Sequence, residues 1–387
     1  MTWDKVISSE VLDIRDGTHD SPKYKADGYP LITSKNLKFG KIDLNDINLI
    51  SEEDYKSINR RSKVDKGDIL YSMIGSIGNY ALIEDSPNFA IKNVALFKFK
   101  DDRLFNRYFL HLLNSPIINR QIEKSMLGGT QKFVSLKILR NLTIPLPPIE
   151  QQKKIAAILD AADAYRQKTK GLIEKYDALA QSLFLELFGD PATNPKGWDK
   201  IKLGQLHKIS SGGTPSRKKP EFYQNGKIAW VKTGELKAMY ALNPSEYITQ
   251  EALDNSSAKL FPINTLLIAM YGATIGACSI LKFEAATNQA CAALLPTEKI
   301  NVVFEYFYFK LYKQELIKMG VGGAQPNISA GILKNILIYY PPIDLQNQFA
   351  EYIKAIENQK NIAKKEYEKS EDLFNSLLQK AFKGELV

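Results

Sequence analysis

At 387 residues the chain is too long for one ordinary core, and at roughly 100 to 200 residues per domain at least two are predicted. A hydrophobic content of 44% with 25% charged residues excludes a disordered chain, and the formal net charge of +9 favours a polyanionic partner, either nucleic acid or an anionic membrane surface. Only Cys278 and Cys291 are present, outside any CxxC pair, which argues against a secreted disulfide scaffold and predicts a reducing, cytoplasmic location. His19, His111 and His207 lie far apart without ligand-like spacing, so they read as surface or satisfied polar residues and no metal site is predicted.

Taken from the start, MTWDKVISSE has no apolar core of a secretory signal. From Trp3 to about Ile144 the pattern is short and strand-like, punctuated by Asp16-Gly17, Asp27-Gly28 and Lys66-Gly67. Asp68–Ile74 and Ala90–Phe99 read as strands, being rich in β-branched and aromatic residues. One helix is predicted over Asn106–Lys124, with Tyr108, Leu112, Leu113, Ile117 and Ile122 on its apolar stripe. Successive prolines in Pro145-Leu146-Pro147-Pro148 end this module and prepare a helix start.

A long helix follows, with a seam at Ile155, Ile158, Ala162, Tyr165, Thr169, Leu172, Tyr176, Leu179, Leu183 and Leu187. Steps of three and four over about five heptads predict a rod of roughly 55 to 60 Å. Phe188-Gly189-Asp190-Pro191 stops it, and a polar linker reaches Trp198. The apolar run Leu266–Leu281 is too short and too glycine-interrupted for a membrane helix and reads as paired strands. After Pro341-Pro342 a second long helix carries Phe349, Ile353, Ile356, Ala363, Tyr367, Phe374, Leu377 and Phe382.

The chain is written twice. Trp3-Asp4-Lys5 returns as Trp198-Asp199-Lys200, Gly128-Gly129 with Gln131 as Gly322-Gly323 with Gln325, and Pro147-Pro148-Ile149 as Pro341-Pro342-Ile343. The period of about 195 residues is far beyond the roughly 20 to 50 of solenoid repeats, so this is a duplicated domain. Two such seams are most simply buried against each other as an antiparallel pair; packing of each helix on its own module or an intermolecular coiled coil are the alternatives. The fold class is α+β, with two globular α/β-mixed modules separated by two long helices forming an antiparallel coiled coil.

No GxxxxGK[ST], HExxH or GxSxG motif is present. Gly75-Ser76-Ile77-Gly78 and Gly272–Gly276 are glycine pairs better suited to bulges or turns than to phosphate binding. The two Pro-Pro-Ile segments lack the leading Asp or Asn and the aromatic of amino-methyltransferase motifs, and read as joints between module and helix. Basic residues interleaved with hydrogen-bonding ones are abundant: Lys23, Lys25, Lys35, Asn36, Arg60, Arg61 and Lys63 in the first module, Arg217, Lys218, Lys219, Lys232, Thr233, Lys237 and Gln289 in the second. Lysine and arginine neutralise phosphates, whereas base readout needs side chains reaching groove edges, and this composition suits both. Gln131 with Lys132, and Gln325 with Asn327, follow the recurring glycine pairs and join the candidates, with a structural role in the turn as the alternative to a DNA-proximal one.

With two modules, two long helices, Gly-Gly-x-Gln, Pro-Pro-Ile-x-x-Gln and a closing Phe382-Lys383-Gly384-Glu385-Leu386, the chain resembles the specificity subunit of type I restriction-modification enzymes. Gly212-Gly213-Thr214-Pro215-Ser216 with Trp230–Leu236 adds to the likeness, and brings Thr214 into the DNA-binding set. The resemblance implies target-recognition domains at 1–148 and 198–342, spacer helices at 149–189 and 343–387, and a linker at 190–197. Each recognition domain would read one half of a bipartite double-stranded DNA site, and the helices would set the spacing and dock two methyltransferase subunits. It places S-adenosylmethionine, ATP and Mg in partner subunits, including a motor-nuclease, and no cofactor, catalytic residue or membrane contact in this chain. Module one departs from this pattern, having Asp16-Gly17-Thr18-His19 where module two has Gly213-Thr214-Pro215-Ser216, so the resemblance carries no shared contact over to Thr18 and Thr214. The rival readings are a self-contained DNA methyltransferase or nuclease with an unrecognised motif, and a coiled-coil scaffold.

Overall fold

The computed structural model describes residues 3–38, 40–126, 133–242, 244–320 and 327–386. They form two compact units, one built from 1–170 with 365–387 and the other from 171–364, so each long helix contributes to both.

In the first unit a four-stranded antiparallel sheet runs in the order Leu12–Asp16, Val94–Phe99, Ile69–Ser72, Tyr80–Leu82. A smaller sheet orders Asn48–Ile50, Tyr29–Ile32 and Ala90–Ile91, the last two strands parallel. Strand side chains alternate between faces, and Val94–Phe99 uses both: Val94 and Leu96 enter one apolar cluster, Ala95 and Phe97 the other. Lys5–Ile7 pairs with Thr143–Pro145 and so closes the module just before the prolines. The predicted strand 90–99 is split in two at Asn93, whose φ of 55° turns the chain from one sheet to the next. The predicted helix 106–124 is likewise two, Asn106–Leu113 and Pro116–Met126, because Pro116 cannot continue the first and suits the start of the second.

The second unit repeats this frame, with one sheet ordered Ile209–Ser211, Cys291–Leu294, Leu266–Ala269, Cys278–Ile280. The apolar run 266–281 is therefore paired strands, as expected. A second sheet orders Tyr247–Ile248, Ile228–Val231, Ala285–Thr287, Leu260–Phe261. Cys278 and Cys291 are buried, and burial pushes both thiols up to about 12, far from the thiolate that redox chemistry needs. Among the described residues no helix is long and apolar enough to cross a membrane, and no cluster of three or more potential metal ligands occurs.

The long helices span Ile149–Phe188 and Ile343–Lys383. The seam of the second helix is Gln346, Phe349, Ile353, Ile356, Lys360, Ala363, Tyr367, Ser370, Phe374, Leu377 and Ala381, all buried or half-buried. The first helix has the same run of threes and fours at Gln152, Ile155, Leu159, Ala162, Arg166, Thr169, Ile173, Tyr176, Ala180, Leu183 and Leu187. This corrects the expected seam, since Tyr165, Leu172 and Leu179 are exposed. Apolar size misled: at each of these points the seam takes the next residue, Arg166, Ile173 or Ala180, because helical spacing fixes the face.

Within each unit the two helices run antiparallel. In the first, Thr169 Oγ lies 3.3 Å from Ser370 Oγ, and Arg166 reaches Glu371 at 3.1 Å with its guanidinium 4.4 Å from the Phe374 ring centre. In the second, Lys360 bonds Asp177 at 2.5 Å and Phe188 packs edge-on to Phe349. Arg166 and Lys360 are equivalent seam cations, each also paired on its own helix, with Asp163 at 2.5 Å and Glu357 at 3.4 Å. A polar seam position of this kind specifies pairing register at some cost in stability.

The Pro-Pro-Ile-x-x-Gln motif has a physical role. Gln152 is buried; its amide donates to the carbonyls of Pro147 (2.8 Å) and Arg103 (2.7 Å), and its oxygen accepts from the Phe105 N–H at 2.8 Å. Gln346 repeats this with the Pro341 carbonyl at 2.7 Å and the Asn301 N–H at 2.9 Å. Each glutamine thus ties the start of a long helix to the loop opening a module helix, satisfying buried backbone groups that would otherwise be orphaned.

Candidate nucleic-acid interface

In each module three loops converge where the two sheets meet. In module one they are the segment after Leu12–Asp16, the turn Ser34–Asn36, and Lys92-Asn93. The Lys92 N–H donates to the Ile32 carbonyl at 2.9 Å and the Thr18 N–H to the Ile91 carbonyl at 3.0 Å, locking the loops together. Module two has the same locks: the Asn288 N–H on the Val231 carbonyl at 3.2 Å and the Gly213 N–H on the Thr287 carbonyl at 2.8 Å. The crossing is tight enough that a Cβ on Gly17 would lie 2.3 Å from the Ile91 carbonyl oxygen, and one on Gly212 2.2 Å from that of Thr287.

These locks give the true register between the copies. Gly17 corresponds to Gly212 and Thr18 to Gly213, so the counterpart of Thr214 is His19, not Thr18, and that of Gln289 is Asn93. His19 Nδ1 lies 2.8 Å from Asn93 Oδ1, and Thr214 Oγ1 hydrogen-bonds Gln289 Oε1. His19 Nε2 also lies 2.8 Å from Asp16 Oδ2. Both neighbours are acceptors, so the doubly protonated ring satisfies them best. The bond to Asn93 and then that to Asp16 accordingly raise the His19 pKa above its ordinary value.

Charge is distributed differently on the two faces. In module one Arg61 pairs with Asp16, Lys35 with Asp46 at 2.9 Å and Lys63 with Asp65 at 3.1 Å, while Lys23, Lys25 and Arg60 are exposed without an ion partner among the described residues. In module two Glu246 joins Lys232 at 2.5 Å to Arg217 at 2.6 Å, and the Lys232 bond, with help from Arg217, holds its carboxyl below the ordinary range. Arg217 also stacks over Tyr223 and Trp230, at 4.3 and 5.1 Å from the ring centres, and Lys219 over Phe222 at 4.8 Å. Stacking of this kind keeps a cationic head at the surface in a defined place. Lys218 is exposed and Thr233 opens the turn beside Lys232.

One expected residue does other work. Asn36 is buried; its amide donates to the carbonyls of Asp43 and Asp46, both at 3.1 Å, and its oxygen accepts from the Thr33 N–H, so it builds the turn and is not available to DNA. Lys237 lies away from the loop locks, in a groove of about 680 Å³ shared with Lys310, Lys354 and Lys364. Asn327 is exposed and bridges to Tyr271, beside the second glycine turn. Gln131, Lys132 and Gln325 lie outside the described residues. His19, Asp16, Asn93 and Glu246 were missed by reading basic residues alone. The signal for His19 and Asn93 was available, because they stand about 195 residues before Thr214 and Gln289.

The family model for the type I restriction modification DNA specificity domain matches this chain twice, over residues 1–175 and 195–371. Similar proteins include a putative type I restriction enzyme MjaX specificity subunit of Methanocaldococcus jannaschii, 25% identical over 99% of this chain and 93% of the relative. The MjaIX specificity subunit of the same organism is 29% identical over 93% and 89%. The type I S subunit from M. genitalium superposes with a TM-score of 0.57 at 18% identity, covering 99% of this chain and 96% of that one. A chain of a type I restriction-modification assembly gives 0.60 at 21% identity, covering 100% and 98%. The duplicated α+β frame on paired long helices is the fold shared with these two solved structures. The chain belongs to the type I restriction modification DNA specificity family.

Proposed function

We propose that this chain selects a bipartite double-stranded DNA site for a type I restriction-modification complex, module 1–148 reading one half and module 198–342 the other. The observation that carries this is the pair of equivalent three-loop faces: one backbone frame presents His19 and Asn93 in the first copy and Thr214 and Gln289 in the second, with Arg61 of the helix Glu52–Ser62 bonded to Asp16 beside the first and Arg217 three residues beyond Thr214 in the second. Different side chains on one frame suit different half-sites. Lys23, Lys25, Lys35, Arg60, Lys63, Lys218, Lys219, Lys232, Thr233, Lys237 and Asn327, together with Gln131, Lys132 and Gln325, complete the proposed DNA-binding set, most of them as phosphate contacts that position without specifying. The helix at 149–189, joined to module two by the linker 190–197, and the helix at 343–387 serve as spacer and as docking surface for two methyltransferase subunits in the cytoplasm. Methyl transfer and ATP-driven cleavage belong to partner subunits, and this chain is not an enzyme by itself.

Three measurements test the reading. The purified chain with labelled S-adenosylmethionine and DNA should transfer no methyl group, and turnover without a partner would overturn it. The assembled complex should bind one bipartite site preferentially and lose affinity steeply between low and physiological salt, as expected when lysine and arginine displace counterions. Because each long helix runs through both units, adding seven residues to both should widen the gap between half-sites by about 10 Å, or about three base pairs. Methylation mapping that found an unchanged gap would remove the spacer role.

A further inference from the structure

The two equivalent dyads share more than their position. In each, a side-chain donor engages the oxygen of a carboxamide: the His19 imidazole on Asn93 at 2.8 Å, and the Thr214 hydroxyl on Gln289. Engaging one lone pair of the oxygen orients the amide and leaves its other acceptor site and its two N–H donors without a partner among the described residues. The backbone beneath is held as well. Asn93 sits at φ 55° with its N–H on the Thr18 carbonyl at 3.2 Å, and Gln289 follows the residue whose N–H is bound to the Val231 carbonyl. Only glycine at 17 and 212 lets the strands approach closely enough to place the dyads there. Their surroundings differ: Asp16 and Arg61 flank the first, while the second has neither and stands in the open. A frame that keeps an oriented amide while changing its length and its orienting partner suits readout of a base edge, since a carboxamide can face the Hoogsteen edge of adenine in the major groove.

Resting on the specificity reading above, we infer that Asn93 and Gln289 are equivalent base-reading residues, one per half-site, and that His19 and Thr214 are the positioning residues that orient them. Each amide then contacts a single base, with adenine the favoured partner, and each dyad governs one position of its own half-site only.

The test uses the full chain co-expressed with its methyltransferase subunits, a random duplex library, and sequencing of the bound fraction. Asn93→Ala should flatten discrimination at one base of one half-site by about 5- to 150-fold and leave the other half-site unchanged. Gln289→Ala should do the same in the other half-site, and Thr214→Val, which removes only the hydroxyl donor, should weaken discrimination at that same base. If Asn93→Ala does not fold, Asn93→Gly suits the left-handed backbone and gives the same readout. Unchanged preference in both amide variants, or a uniform loss over all positions of both half-sites, would overturn the assignment. A wild-type complex with no bipartite preference would overturn the specificity reading itself, which is a different outcome.

Discussion

His207→Leu alone is expected to destabilise the second unit by about 3 to 5 kcal/mol, and Glu305→Phe alone by a comparable amount, whereas the double substitution should be neutral or stabilising by about 1 to 4 kcal/mol. Glu305 is wholly buried, and its carboxylate lies 2.9 Å from His207 Nε2, an ion pair by distance without a linear hydrogen bond. The His207 Nδ1 faces the Leu295 carbonyl at 2.7 Å. Removing one partner leaves a charge or a polar ring in a dry interior with nothing to balance it. The first module supplies the control, because the counterparts are Leu12 and Phe109, both buried in its main apolar cluster. The pair also lines a cavity of about 270 Å³, which leaves room for the larger phenylalanine.

The pair has a pH signature. Burial lowers the His207 pKa, but the carboxylate of Glu305 outweighs it and the net direction is up. A group whose folded pKa is raised contributes its full stability below the unfolded value of about 6.5 and loses it as pH rises through the folded value. The wild type should therefore lose stability on the alkaline side of that window and the double variant should not. Denaturation curves read with a probe in the second unit, at pH 6 and pH 8.5, check both expectations. A double variant as unstable as the two singles combined would show that the ion pair contributes more than apolar packing does.

Gly17→Ala and Gly212→Ala should each disable one half-site and spare the other. The obstacle in both cases is a backbone carbonyl, at 2.3 and 2.2 Å from the added Cβ, which cannot swing aside like a side chain. Relief requires separating two strands in the middle of a module, at a cost of about 3 kcal/mol or more. Binding to duplexes carrying only one intact half-site separates the cases. Gly17→Ala should lose discrimination in the half-site that Asn93→Ala affects, and Gly212→Ala in the other. Equal loss in both half-sites would mean that the modules do not read independently. By contrast, Gly75 has positive φ and no atom near its Cβ position, so alanine there meets only backbone strain.

Some of this was legible in the sequence and some was not, for physical reasons. Duplication, helix length and the module-to-helix joints were readable because identical residues at constant spacing, prolines and helical periodicity are local or periodic signals. The seam was legible in period but not in face: Tyr165, Leu172 and Leu179 outweigh Arg166, Ile173 and Ala180 as apolar residues, and only the partner helix decides which of two neighbours it meets. Asn36 looked like a DNA contact because an amide has the same chemistry whether it caps a turn or faces a groove. The composition could not place His19 beside Asn93, 74 residues away, or Thr214 beside Gln289, 75 residues away. Sequence by itself determined that one frame is used twice and joined by two long helices. Tertiary structure decided which residues that frame presents, because register between distant strands is set by backbone hydrogen bonds and by a glycine-only crossing that no local pattern encodes.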